Sequence, residues 1–247
     1  MLKDALEYLV SMGQKETMEV KGNTYIVGGN EVRQVLAQTQ TALETTTLQS
    51  IVDYLSAGLD NAMAGEASII VHIVSPTRVE VFGEVNADKQ RNKLLVAKAT
   101  LPDRFEFDNF YSMESFNIAL QSRFVDAQDR AKLLALVGNV KDKAVRTVGD
   151  DGITQTTTIK TGIASVADVV VPNPVSLAPY RTFAEVEQPS SNFVFRMRSG
   201  QSEPGAALFE ADGGAWRIEA IANIREWLAY HLEDALDTDM QYVTILS

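Results

Sequence analysis

Ser68-Ile69-Ile70-Val71-His72-Ile73-Val74-Ser75-Pro76-Thr77-Arg78-Val79-Glu80-Val81 is the stretch on which the fold turns. Up to Val74 it is apolar on both faces, the pattern of a strand set inside a sheet. Pro76 has no backbone N–H to give a ladder and breaks the run. Beyond it the period becomes two. Thr77, Val79 and Val81 alternate with Arg78 and Glu80, as in a half-solvated strand. A turn around Asn86–Asp88 then leads into Lys93–Thr100, the most regular β segment of the chain. The pattern predicts a meander, or a β-hairpin lobe projecting near 68–100.

Upstream, Leu2, Ala5, Leu6, Leu9 and Val10 fall at helical spacing. Met18–Lys21 and Thr24–Val27 flank Gly22-Asn23, a two-residue hairpin signature. Glu31–Gln38 reads as a polar helix, and Thr39–Thr47 as a connection ending in a helix cap. Leu48, Ile51, Val52, Leu55 and Leu59 define an amphipathic helix.

Downstream, Phe105, Phe107, Phe110 and Tyr111 are expected to lie under the helices that follow. Ser112 caps one of these, with Met113, Phe116, Leu120 and Phe124 on one face; Asp126 caps another, which Gly138 ends. Val145–Val148 should pair with Ile153–Ile159 across an Asp151-Gly152 turn. Val166–Val171, Thr182–Val186, Phe193–Arg198 and Ala206–Glu210 read as further strands. Ile221, Ile224, Leu228, Leu232 and Leu236 mark a long C-terminal helix, and Gln241–Leu246 a closing strand. The expected fold is α+β over 1–247 as a single domain: mixed, mostly antiparallel sheets, two central helices and the C-terminal amphipathic helix.

A chain of 27.1 kDa buries roughly 70% of its extended surface, so it needs neither metal nor disulfide to fold. It has no cysteine and only two histidines, which leaves little scope for nucleophilic or imidazole chemistry. No run approaches the ~20 apolar residues of a membrane span, and residues 1–12 lack a secretory pattern, which points to the cytoplasm. The net charge of −11 is uneven: residues 201–247 carry 2 basic and 9 acidic side chains, whereas 86–146 carry 11 and 8. Acidic ends repel a phosphate backbone, and only the middle of the chain attracts an anion.

Candidate chemistry is sparse. His72 lies among apolar neighbours and reads as a hydrogen-bonded core residue; His231, beside Glu233 and Asp234, reads as part of a solvated helix face. Asp150-Asp151-Gly152 and Asp237-Thr238-Asp239 supply carboxylates, but not with the spacing of a calcium loop. Gly28-Gly29 and Gly213-Gly214 match no phosphate-binding motif and read as turns. Lys89, Arg91 and Lys93 remain: at strand spacing they share one face, where they either contact single-stranded nucleic acid or an acidic partner, or guard a sheet edge.

Three segments together resemble the YfdQ-like family of phage and prophage proteins, a domain of unknown function. They are Ile69–Ala99 with the helix around Met113–Phe124; Val148–Gly162 with its Asp-Asp-Gly turn and Thr-rich strand; and Ala207–Leu236, which carries Asp212-Gly213-Gly214-Ala215-Trp216. The resemblance implies a bacteriophage or prophage origin and the cytoplasm of the bacterial host. It supplies no functional residues.

The expectation is therefore a non-enzymatic, self-assembling protein, a homo-oligomer of ring or shell type, with no cofactor. The alternative is an accessory binding protein, for phage DNA replication or recombination or against a host defence protein, with Lys89, Arg91 and Lys93 at the contact. A metal-dependent enzyme using Asp150 and Asp151 is the third reading.

Overall fold

A computed structural model of the chain describes residues 3, 5–6, 16–28, 31–36, 40–61, 68–86, 88–126, 128–138, 146–150, 155–161, 165–198, 204–235 and 243–247. The fold is α+β, with mostly antiparallel sheets.

The decisive stretch lies inside a five-stranded sheet of order β15–β5–β6–β7–β4: β4 is Leu43–Thr45, β5 Ile69–Ser75, β6 Arg78–Val85, β7 Arg91–Lys98 and β15 Val243–Leu246. The three central strands are antiparallel, while β15 and β4 run parallel to their neighbours. The register sets Val81 of β6 between Val71 and Leu95, and Val79 between Ile73 and Ala97; all are buried. Helices α1 (Gln49–Ser56) and α4 (Trp216–Ala235) cover this face with Ile51, Leu55, Ile224 and Leu228. Each such aliphatic side chain gains about 1.5–3 kcal/mol on burial. Of the two arrangements expected over 68–100, the structure has the meander, with one face of all three strands buried.

A second unit pairs a four-stranded antiparallel sheet with two helices. Its order is β12 (Val175–Leu177), β13 (Ser191–Arg198), β14 (Gly205–Glu210), β8 (Tyr111–Ser112). Helices α2 (Met113–Arg123) and α3 (Gln128–Gly138) lie over it. The Ser112 hydroxyl accepts the Ser115 N–H at 3.2 Å, the cap expected from sequence. Here the core is aromatic. Phe105, Phe116, Phe124, Phe193 and Phe195 are all buried, and Phe105 meets the ring of Tyr111 at 4.9 Å and that of Phe124 at 5.2 Å. Such ring pairs add about 0.5–1.5 kcal/mol beyond area burial.

The strand expected at Thr182–Val186 is a turn segment instead. The Gln188 side chain takes the place of a neighbouring strand: its Oε1 accepts the N–H groups of Arg181 (2.9 Å) and Thr182 (3.2 Å), and its Nε2 donates to the Phe183 carbonyl at 2.9 Å. Backbone polar groups must be paired when buried, and a side-chain amide satisfies them as well as a ladder does.

The remaining strands form two three-stranded antiparallel meanders. One has the order β1 (Glu16–Val20), β2 (Asn23–Gly28), β3 (Glu31–Val35); the other has β11 (Ser165–Val171), β10 (Gln155–Thr161), β9 (Arg146–Asp150). The first hairpin turns at Lys21-Gly22, both at positive φ (51° and 80°), so that Val20 faces Asn23. The turn is thus one residue earlier than Gly22-Asn23. The helix expected over Glu31–Gln38 is also corrected, because Glu31–Val35 completes a ladder with β2. Asp150 pairs with Gln155, and the Asp151-Gly152 turn between them lies outside the described residues. Of the expected N-terminal helix, Lys3, Ala5 and Leu6 are described and are helical.

Candidate functional site

Lys89, Arg91 and Lys93 are engaged in different ways. Lys89 sits in the β6–β7 turn at a φ of 60°, and its N–H donates to the Asn86 carbonyl at 2.9 Å. Arg91 is exposed on β7 and reaches the Gly83 carbonyl at 3.4 Å. Lys93 is turned to Glu80, 3.0 Å away, by irregular register between β6 and β7. Arg78 also donates to Glu80, through Nε at 2.7 Å. Burial by itself would push the Glu80 carboxyl up, but the hydrogen bonds from Lys93 and Arg78 outweigh it and hold the group below the usual carboxylate range.

The histidines are arranged differently from expectation. His72 is half-buried, opposite Glu80 and Leu246, on the sheet face away from the aliphatic core. His231 stacks on Trp227 with ring centroids 3.8 Å apart, and its Nδ1 lies 2.8 Å from the Trp227 carbonyl, which makes that nitrogen an N–H donor. Asp151 and Asp237–Asp239 lie outside the described residues. Among the described residues no group of three His, Asp or Glu side chains is placed to hold a metal, and no helix is long and apolar enough to cross a membrane.

A concavity of about 360 Å³ opens where the two units meet. The β5–β6 turn supplies Pro76 and Thr77, the β7–β8 connection Leu101 to Phe107, and the ends of α2 and α4 supply Arg123, Trp216 and Arg217. Its walls are tied together by backbone and side-chain bonds. Thr182 Oγ1 donates to the Pro76 carbonyl at 2.6 Å, Ala99 N–H to Thr77 at 3.0 Å, and Tyr180 N–H to Arg123 at 3.0 Å.

Arg181 forms the inner part of this cleft. Its guanidinium lies 4.1 Å over the Trp216 ring, pairs with Glu210 at 3.1 Å, and donates to the Pro189 carbonyl and the Ser191 hydroxyl. Burial lowers its pKa to about 10, against the opposing pull of Glu210 and Asp212. Ser191 in turn donates to Asp212, which also accepts the Gly214 N–H at 2.9 Å. Burial would raise the Asp212 carboxyl, yet these bonds keep it low. Ser191 is thus hydrogen-bonded on both sides to charged groups, with no imidazole among its partners. That chain of bonds fixes the Ser191 hydroxyl between Arg181 and Asp212.

A second surface of note is the β1–β3 meander. Register places Glu16, Met18, Val20, Asn23, Tyr25, Val27, Val32 and Gln34 on one of its faces and Thr17, Glu19, Thr24, Ile26, Glu31, Arg33 and Val35 on the other. None of its residues is buried; Val32 is 68% and Met18 52% exposed. Sequence patterning could have revealed this face only if Glu31–Val35 had been recognised as a strand.

No family model, curated protein or solved structure matches this chain.

Proposed function

We propose that this protein works by binding a second copy of itself, with β3 as the contact. The observation that carries the reading is the outer edge of β3, which pairs with no strand among the described residues, in a meander whose strands have no buried side chain. An edge strand presents a row of N–H and C=O groups ready to pair, so a partner strand on this edge is energetically rewarded.

The two edges of the meander differ in charge. Edge strand β1 carries only acids, Glu16 and Glu19, whereas β3 carries Glu31 and Arg33 two residues apart. Antiparallel pairing of β3 with its own copy about Val32 sets Glu31 of each chain opposite Arg33 of the other, on the same face. Val32 meets Val32 on the opposite face. Opposite charges and β-branched pairs across strands contribute about 0.2–1 kcal/mol each, and a two-fold contact uses every pair twice. Two copies would then share one six-stranded sheet. A two-fold contact closes at two chains, so the ring or shell expected from sequence would require another surface. The accessory-binding alternative loses one of its three cations, since Lys93 is paired with Glu80.

Sedimentation equilibrium of the full chain checks this. The expected mass is twice 27.1 kDa. Glu31→Arg alone or Arg33→Glu alone should weaken association about tenfold or more, and the double swap, which restores complementarity, should recover it. A monomer at micromolar concentration, or a double swap no better than the singles, would sink the reading.

A further inference from the structure

We infer that the cleft between the two units is a binding site for a small organic anion that carries a phosphate or carboxylate head on a flat, apolar body. The first support is charge. Four arginines line the cleft, Arg104, Arg123, Arg181 and Arg217, against two acids, Asp103 and Glu210. That is a local surplus of two positive charges in a chain whose net charge is −11. Arg181 is already paired with Glu210. Arg104 and Arg217 are exposed, and neither forms an ion pair among the described residues. Arginine's planar fork suits either anion.

The second support is independent of charge. Two buried donors in the wall, Arg181 Nε and Trp216 Nε1, have no hydrogen-bond partner among the described residues. Arg181 itself is only 8% exposed. Buried donors are normally paired, and what both of these lack is an acceptor. A ligand oxygen would reach them only by opening the wall, since both nitrogens are closed to solvent.

The third is shape and composition. A volume near 360 Å³ falls at the small end of ligand pockets. Leu101, Pro102, Phe107 and Tyr180 offer apolar and aromatic surface beside the guanidinium groups. The cross-links from Thr182 to Pro76 and from Tyr180 to Arg123 preform the site, so little ordering cost falls on binding. The acidic character of the rest of the molecule opposes a long polyanion through its summed field, which favours a compact ligand over a nucleic-acid strand.

The Trp216 ring stands beneath two guanidinium groups, those of Arg181 at 4.1 Å and Arg217 at 4.8 Å. Its fluorescence therefore reports any change in their positions. The chain has only two tryptophans, so Trp227→Phe leaves Trp216 as the single reporter. Titrate this variant with inorganic phosphate, adenosine 5′-monophosphate, 1-naphthoate and uncharged adenosine. Saturable change is expected with the nucleotide, with naphthoate, or with both; phosphate should be weaker and adenosine inert. A response to the nucleotide alone assigns a phosphate head, and one to naphthoate alone a carboxylate. Arg104→Gln with Arg217→Gln, both at exposed positions, should weaken binding at least tenfold, and Lys89→Gln should leave it unchanged. No saturable response up to millimolar ligand, an equal response to adenosine, or binding indifferent to the arginine pair would overturn the inference. None of these outcomes depends on whether the chain self-associates through β3.

Discussion

The aromatic unit built on β13 and the meander built on β2 are both antiparallel sheets, yet they use their apolar residues in opposite ways. On β13 every second residue is buried, from Ser191 through Phe193 and Phe195 to Met197. On the meander the same alternation leaves Val32 and Met18 more than half exposed. The contrast teaches that alternation specifies a two-sided strand but not whether its apolar side is covered within the same chain. The cover depends on α2 and α3, which lie far along the chain from the residues they bury.

The sharpest way to break this comparison is to delete the same kind of group from each region. Phe195 is fully buried between Phe116 and the β14 ladder, with the Phe116 ring 5.6 Å away. Phe195→Ala should cost about 3–5 kcal/mol in urea denaturation, through lost transfer energy and the cavity left behind. Val32→Ala should fall within about 0.5 kcal/mol in the monomer, because its methyl groups stay in water. Equal losses would mean that the meander is covered in solution.

The five-stranded sheet allows a second, smaller test, based on charge. Glu80 is the one acid among the described buried residues. Its carboxyl is held below the ordinary value in the folded chain. The stabilisation from this shift is present above the unfolded carboxyl pKa of about 4.3 and disappears as pH falls through the lower folded value. Glu80→Gln should therefore cost about 1–2 kcal/mol at pH 7, the range for hydrogen bonds to charged groups reduced by the partial exposure of Arg78 and Lys93. The gap between wild type and variant should close in acid. A gap that persists once Glu80 is protonated in the folded chain would show that the ion pairs are not its source.

Much of the fold could be read where one period dominates. The alternation from Thr77 to Val81, the cap at Ser112 and the three-and-four spacing of Ile221 to Leu232 all reappear as β6, α2 and α4. The misreadings have non-local causes. Val32, Val35 and Leu36 mimic helical spacing, and only the ladder with β2 decides for strand. Thr182–Val186 looks extended, but Gln188 satisfies its backbone groups. The cleft was not legible at all. Its four arginines are spread from 104 to 217 with no characteristic spacing, and tertiary contact alone brings them together. The basic residues that did stand out, Lys89 to Lys93, were conspicuous for proximity in sequence, and one of them is spent on Glu80.

The smallest expected effect asks whether the meander is energetically separate from the body. Gly22 holds a φ of 80° in the β1–β2 turn, and a Cβ there would meet no atom within 4 Å. Alanine at this position is therefore penalised by backbone conformation alone, by about 1 kcal/mol. Lys21, at a φ of 51°, already bears a similar strain, so the turn has little tolerance left. Gly22→Ala should speed amide exchange at Met18 and Tyr25, which face each other across the ladder. Exchange at Val71 and Phe195 should stay unchanged, since local opening need not involve the core. If protection at Val71 fell together with that at Met18, the meander and the five-stranded sheet would be one cooperative unit, and the exposed face of β3 would have to be stabilised by the body rather than by a second chain.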